Sequence, residues 1–103
     1  RSPSRGLGDV YKRQVFDGSL TQIPKRPEVV LALTSQIGNY IQEHHSSIEV
    51  KNALDYVFLM PIEYRSQALT SFLGVKEIRK QLQNDDRFCN WFLRSGRDWD
   101  DYR

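Results

Sequence analysis

Residues that stop or start helices recur at short intervals along this 103-residue chain, and they limit what it can fold into. Ser46, Pro61, Gly74 and the run 84–86 divide residues 27–96 into five short segments. Within the segments apolar residues recur at spacings of three and four, the period of an amphipathic helix. The sequence therefore predicts an all-α fold, a small bundle of four to five short helices in a single domain.

Local signals place the helix ends and one crossing. We expect helices over about 27–45, 46–60, 61–74, 75–83 and 86–94. Ser46 and Glu49 match a capping box at the start of the second helix. Gly38, inside the first helix, predicts a close approach by another helix, and Gly74 predicts a left-handed cap at the end of the third.

The first fourteen residues differ from the rest of the chain. The stretch 2–14 (SPSRGLGDVYKRQ) resembles the peptide produced when sequencing-adapter DNA is translated in frame at the end of an environmental contig. The resemblance implies that 1–14 is a disordered translation artefact and that the chain is a fragment of a longer protein. Residues 15–26 follow as an expected extended leader, with a turn at Asp17-Gly18.

Removing that segment changes the charge. The full chain has 15 basic and 13 acidic residues, a net charge of +2. Residues 15–103 retain 11 basic and 12 acidic residues, a net charge of −1, so the mild basicity that would favour a polyanionic partner lies in 1–14. The longest apolar stretches are about five residues, too short to span a membrane. A single cysteine, Cys89, fits a reducing compartment, and we expect a cytoplasmic protein.

Residues that could support catalysis or hold a metal are sparse. His44 and His45 are adjacent, so on a helix they point about 100° apart and do not suit one metal ion. Cys89 has no histidine near it in the sequence, which favours a structural thiol. The pair 85–86 is explained by helix capping. We therefore expect a protein that is not an enzyme and that has no metal or cofactor.

One alternative function is DNA binding. The third and fourth predicted helices, joined at Gly74, are suggestive of a helix-turn-helix, although the apolar register of that motif is met only in part. Side chains on the second of these helices would contact phosphates and bases, namely Lys76, Arg79, Lys80 and Gln83. The competing interpretation is an ordinary helical hairpin with solvated cations.

The segment 97–103 is an acidic tail that carries two aromatic residues. Its members that could dock into a partner are Trp99, Tyr102, Asp98, Asp100 and Asp101. An apolar pocket rimmed by cations on another protein would accept them. The alternatives are that the two rings fold back onto the bundle or that the tail is disordered. The leading hypothesis is a non-catalytic module that binds another protein through this tail or an apolar helix face, as an adaptor, accessory subunit or regulatory factor.

Overall fold

The computed structural model describes residues 11–102, and over these residues the chain is helical with no strand. Helix α1 covers residues 11–17 of the described range. The remaining helices are α2 (Pro27–Glu43), α3 (Ser47–Val57), α4 (Ile62–Phe72), α5 (Lys76–Leu82), α6 (Asp86–Arg94) and a 3-10 helix (Trp99–Tyr102). The prediction of a small all-α bundle is confirmed, with five α-helices inside the interval 27–96.

Two of the helix starts are capped as their sequences predict. The Ser46 hydroxyl accepts a hydrogen bond from the Glu49 amide at 3.4 Å. The Asp85 carboxylate accepts one from the Phe88 amide at 3.1 Å, which starts α6. The Glu49 carboxylate does not complete a reciprocal capping box; it accepts a hydrogen bond from the Tyr40 hydroxyl at 3.1 Å and ties α3 to α2.

The core forms where α2 crosses α4. Gly38 is buried at the crossing, and a Cβ atom at this position would lie 2.6 Å from the Ser71 hydroxyl. The predicted close approach of helices at Gly38 is therefore confirmed. The largest fully buried side chains around the crossing and beneath α5 and α6 are Phe72, Phe88, Phe92, Leu33, Ile37, Ile41, Met60, Leu69, Ile78 and Leu82.

Gly74 serves a different purpose from the one predicted. Among the described residues a positive φ occurs only at Gly18 and Gly96, so the expected left-handed cap at Gly74 is wrong. A Cβ at Gly74 would lie 2.9 Å from the Gln42 side-chain amide nitrogen, which donates a hydrogen bond to the Ser71 carbonyl at 2.8 Å. Position 74 has room only for a small residue, because the Gln42 side chain of α2 extends across it to the end of α4.

Helix α1 overturns part of the expectation for the start of the chain. Val15 and Phe16 are only 1% and 2% exposed and belong to the core. The Phe16 ring stacks on Tyr40 with 4.4 Å between centroids, and the Asn52 side chain donates a hydrogen bond to the Phe16 carbonyl at 3.0 Å. These contacts come from residues distant in sequence, which is why local periodicity did not indicate them.

The boundaries of the predicted leader change accordingly. The expectation of disorder over 1–14 is wrong for residues 11–14, which are helical, while residues 1–10 lie outside the described range. The extended leader predicted for 15–26 is wrong for residues 15–17, which belong to α1. Within that predicted leader, residues 18–26 are not helical. The Tyr56 hydroxyl holds this irregular stretch by donating to the Gln22 carbonyl at 2.7 Å. The proposed adapter origin of 1–14 stays a prediction.

No helix in the described part of the chain is long and apolar enough to cross a membrane.

Candidate functional site

The structure brings the two predicted sets of binding residues to one surface. A depression of about 220 Å³ between α5 and the 3-10 helix, here called the α5 cleft, is lined by Lys76, Arg79, Lys80, Gln83, Trp99 and Tyr102. The candidate DNA-binding side chains and the aromatic residues of the tail are therefore neighbours. The sequence alone indicated two separate sites, because Gln83 and Trp99 are 16 positions apart along the chain.

The aromatic tail is folded back onto the bundle. The Trp99 ring stacks on Phe92 with 4.0 Å between centroids and 13° between planes. The Tyr102 ring lies 5.8 Å from the same Phe92 ring, and its hydroxyl accepts a hydrogen bond from the Arg97 guanidinium at 2.8 Å. Of the three arrangements considered for the tail, the structure has the folded-back one, with both rings half-buried. Docking of these residues to a partner stays a prediction.

Arg79 is the cation of the α5 cleft that supports the fold. Its guanidinium donates a hydrogen bond to the Leu73 carbonyl and lies 5.8 Å from the centroid of the Tyr102 ring. It therefore connects the end of α4, the helix α5 and the tail. Lys76 and Lys80 are exposed. Because α5 has seven residues, it is only about 10 Å long, which is short for a helix that reads bases.

Carboxylates accompany the cations of the α5 cleft. Asp98, Asp100 and Asp101 are exposed on the same short segment as the two aromatic rings. The Asp98 carboxylate accepts a hydrogen bond from the Asp100 amide at 3.0 Å and shapes the 3-10 turn. Negative charge on this segment lowers the positive potential that the nearby lysines produce.

A second surface was not anticipated from the sequence. A depression of about 420 Å³ between α4 and α6, here called the arginine groove, is lined by Phe58, Ile62, Arg65, Ser66, Arg87, Asn90, Trp91 and Arg94. The residues from α4 and α6 follow helical spacings of three and four, so each helix presents one side to the groove. A stripe of polar and basic residues at these spacings on each of the two helices is the sequence signal from which the arginine groove could have been predicted.

One wall of the arginine groove is an aromatic ring in contact with two guanidinium groups. Arg65 lies 5.4 Å and Arg87 lies 4.9 Å from the centroid of the Phe58 ring. Arg65 also donates hydrogen bonds to the carbonyls of Phe58 at 3.0 Å and Met60 at 3.2 Å. These bonds close the connection between α3 and α4 and fix the Arg65 guanidinium in place.

The charge of Arg87 is matched by carboxylates. Its guanidinium is 2.8 Å from Asp55 and 3.1 Å from Asp85, both half-buried. Burial opposes ionisation of the two carboxyl groups, but hydrogen bonds from Arg87, with Lys51 also bonding Asp55, outweigh it and hold the pKa of each below its ordinary value. The same bonds raise the pKa of Arg87. Arg87 is thus a fixed wall of the groove and links α3 to α6.

Trp91 is a second aromatic residue that lines the arginine groove. Its indole nitrogen donates a hydrogen bond to the Ser66 hydroxyl at 3.0 Å, which bridges α6 and α4. The ring lies 5.2 Å from Phe88, and the Arg97 guanidinium lies 5.5 Å from the ring centroid. The indole is therefore held in one orientation before any ligand arrives.

The edge of the groove combines an apolar side chain with a cation. Ile62 is 76% exposed, the highest value among the large exposed hydrophobic residues described. Arg94 is also exposed, and within residues 11–102 its guanidinium makes no hydrogen bond or ion pair. This edge therefore offers apolar area and a guanidinium together, and arginine is enriched at protein interfaces.

Cys89 and His44, the side chains considered for catalysis or metal binding, line neither the arginine groove nor the α5 cleft. Burial, followed by the charges of Asp86 and Asp85, raises the pKa of the Cys89 thiol, and its sulfur lies 3.4 Å from the Gln83 carbonyl oxygen. A raised pKa disfavours the thiolate that a nucleophile needs. His44 ends α2 and is exposed. In the described residues no three His, Cys, Asp or Glu side chains are grouped to hold a metal ion.

Comparison with known proteins found no match to this chain among protein-family models, curated proteins or solved structures. Function is therefore inferred from the geometry of the two surfaces.

Proposed function

We propose that this chain is a small non-catalytic helical module that binds another protein, as an adaptor, accessory subunit or regulatory factor. The arginine groove is its docking surface. The observation that supports this is the exposure of Ile62, 76%, at the edge of a depression whose walls, Phe58 and Trp91, are already held by hydrogen bonds and ring contacts. Half-buried aromatic and arginine side chains are the residue types that contribute most to protein interfaces.

The position of the tail favours this surface over docking through Trp99. Trp99 is already stacked on Phe92, so docking through its ring would require the tail to leave the bundle first. The groove needs no such rearrangement, because Arg65, Arg87 and Trp91 are each fixed by contacts within the chain. A surface that is ordered before binding loses less side-chain entropy on association.

The test is affinity capture with the full chain as bait in a lysate of the source organism. Ile62→Asp places a negative charge on the exposed apolar edge of the groove and should abolish recovery of the partner. Ile48→Asp is a matched control, because Ile48 is 62% exposed and lines a different depression. Trp99→Ala, in the same experiment, tests docking through the tail. Recovery that is unchanged by Ile62→Asp, or reduced equally by Ile48→Asp, would contradict the proposed surface.

The α5 cleft supports a second candidate, nucleic-acid binding. The observation in its favour is that Lys76, Lys80 and Gln83 lie beside two half-exposed aromatic rings, a combination that can contact phosphates and stack on bases. A duplex-binding regulator of the helix-turn-helix type would use the same α5 side chains. The carboxylates of Asp98, Asp100 and Asp101 and the shortness of α5 weigh against it.

Binding to labelled DNA, measured by fluorescence anisotropy, tests this candidate. Affinity for a short mixed-sequence duplex should fall steeply between roughly 50 and roughly 200 mM salt. The double variant Lys76→Ala with Lys80→Ala should bind the duplex more weakly than the wild-type chain. Both proteins contain the basic segment 1–14, so any contribution of that segment to binding is the same in each. Equal affinity of the two proteins would reject the α5 cleft as a nucleic-acid site.

A further inference from the structure

We infer that the partner segment bound in the arginine groove is acidic: a short peptide segment in which Asp or Glu residues flank one aliphatic or aromatic side chain. This inference rests on the proposed function, because it names the class of protein segment that would occupy the docking surface. It follows from how the three guanidinium charges of the groove are matched within the chain.

Among the described residues, carboxylates pair with only one of the three arginines in the groove. Arg87 bonds to Asp55 and Asp85, so its charge is satisfied. Arg65 donates two hydrogen bonds from Nη2 to main-chain carbonyl oxygens, its buried Nε has no partner, and no carboxylate within residues 11–102 pairs with its charge. Arg94 makes no hydrogen bond or ion pair with any described residue. Two unmatched guanidinium groups therefore line one depression, and carboxylates of a partner would complement them.

The apolar part of the groove indicates which other side chain the bound partner segment carries. Ile62 forms the edge, and the rings of Phe58 and Trp91 form the walls of a space of about 420 Å³, which is at the small end of ligand pockets. Such a space suits one apolar side chain rather than a run of bases. A nucleic-acid strand would offer phosphates to Arg65 and Arg94 but would leave the exposed Ile62 without an apolar partner. The combination favours an acidic, partly apolar peptide over a nucleic acid.

The first experiment selects binders from random peptides displayed on phage, with the immobilised full chain as target. Peptides enriched on the wild-type chain should combine Asp or Glu with a nearby aliphatic or aromatic residue, relative to the starting library. The same selection on Arg94→Gln should lose the acidic preference. Selection on Lys80→Gln, the control for a cation outside the groove, should keep it. Enrichment of basic or neutral peptides, or no enrichment at all, would overturn the acidic class.

The second experiment places the selected peptide in the groove. In a Trp99→Phe chain, Trp91 is the single tryptophan and its fluorescence reports binding beside it. A synthetic acidic peptide should change this emission, and replacing its glutamates by glutamines should weaken binding about fivefold or more. Arg94→Gln should weaken the acidic peptide and leave the glutamine peptide unchanged. Equal binding of the two peptides would overturn the inference, as would binding of oligothymidylate in place of the acidic peptide.

The two proposals can fail separately. If Ile62→Asp abolishes capture of a partner while acidic and neutral peptides bind equally, the acidic class is wrong and docking in the groove stands. If Ile62→Asp changes neither capture nor peptide binding, the groove itself is wrong. Loss of acidic-peptide binding in both Ile62→Asp and Arg94→Gln, with Lys80→Gln unaffected, supports both proposals.

Discussion

The arginine groove and the α5 cleft each contain three cationic side chains, but the chain holds them in different ways. In the groove, Arg65 and Arg87 are fixed by carbonyls, carboxylates and the Phe58 ring. In the α5 cleft, Arg79 is fixed, whereas Lys76 and Lys80 extend into solvent. The two surfaces therefore have the same number of cationic side chains but differ in how those side chains are held. Guanidinium groups held in position can select a ligand, while solvated ammonium groups mainly add attraction that salt screens.

The tail gives the largest effect expected on stability. Trp99→Ala should lower the free energy of unfolding by about 3 kcal/mol, because it removes a ring stacked on Phe92 at the edge of the core. Urea unfolding followed by circular dichroism measures the change. Trp99→Phe should recover much of the loss. A change below about 0.5 kcal/mol would mean that the tail contributes no more to stability than an ordinary surface segment. Trp99 would then not form a fixed side of the α5 cleft.

We expect the next largest loss of stability when Arg65 is replaced. Comparing this variant with one at Lys80 tests whether a fixed cation stabilises the fold more than a solvated one. Arg65→Ala should cost about 2 kcal/mol, because two carbonyls at the connection between α3 and α4 lose a charged donor. Lys80→Ala, in the α5 cleft, should stay within about 0.5 kcal/mol. Both values come from the same urea titrations. Equal losses in the two variants would remove the distinction drawn between the surfaces.

Acid should affect the groove through Asp55 and Asp85. The fold lowers the pKa of both carboxyl groups from the unfolded value near 3.8. Their ion pairs with Arg87 therefore stabilise the protein fully above pH values near 3.8. This stabilisation is lost as the pH falls through the lower pKa values of the folded state. We therefore expect a modest decrease in stability below about pH 4. Asp55→Asn should flatten that decrease in a series of urea titrations. An equally steep decrease in the variant would show that this ion pair does not stabilise the groove.

Local signals predicted the bundle well, because helix ends and helix faces are encoded by nearby residues. The caps at Ser46 and Asp85 and the small residue at the crossing, Gly38, were predicted from spacing and side-chain type. The burial of Val15 and Phe16 was missed. It depends on contacts with Tyr40 and Asn52, which no local pattern indicates, and the boundary assumed after residue 14 divided the helix that contains them.

The arginine groove was missed for a related reason. Arg65 and Arg87 are 22 positions apart, and each alone looks like a solvated helical residue. What distinguishes them is the Phe58 ring, which both guanidinium groups contact in the fold. For the α5 cleft, the sequence identified the correct side chains, but only the fold shows that they are neighbours. Residue types could therefore be predicted, whereas their juxtaposition required the packing of α4, α5 and α6.

The crossing at Gly38 also has an evolutionary consequence. Because a Cβ there would meet the Ser71 hydroxyl at 2.6 Å, the two positions share one small volume. A mutation that enlarges residue 38 requires the Ser71 side chain to move, and a smaller residue at position 71 would relieve the contact. In diverging sequences with this fold, positions 38 and 71 should therefore covary in size. That covariation would identify distant homologues after the residues of both candidate surfaces had diverged.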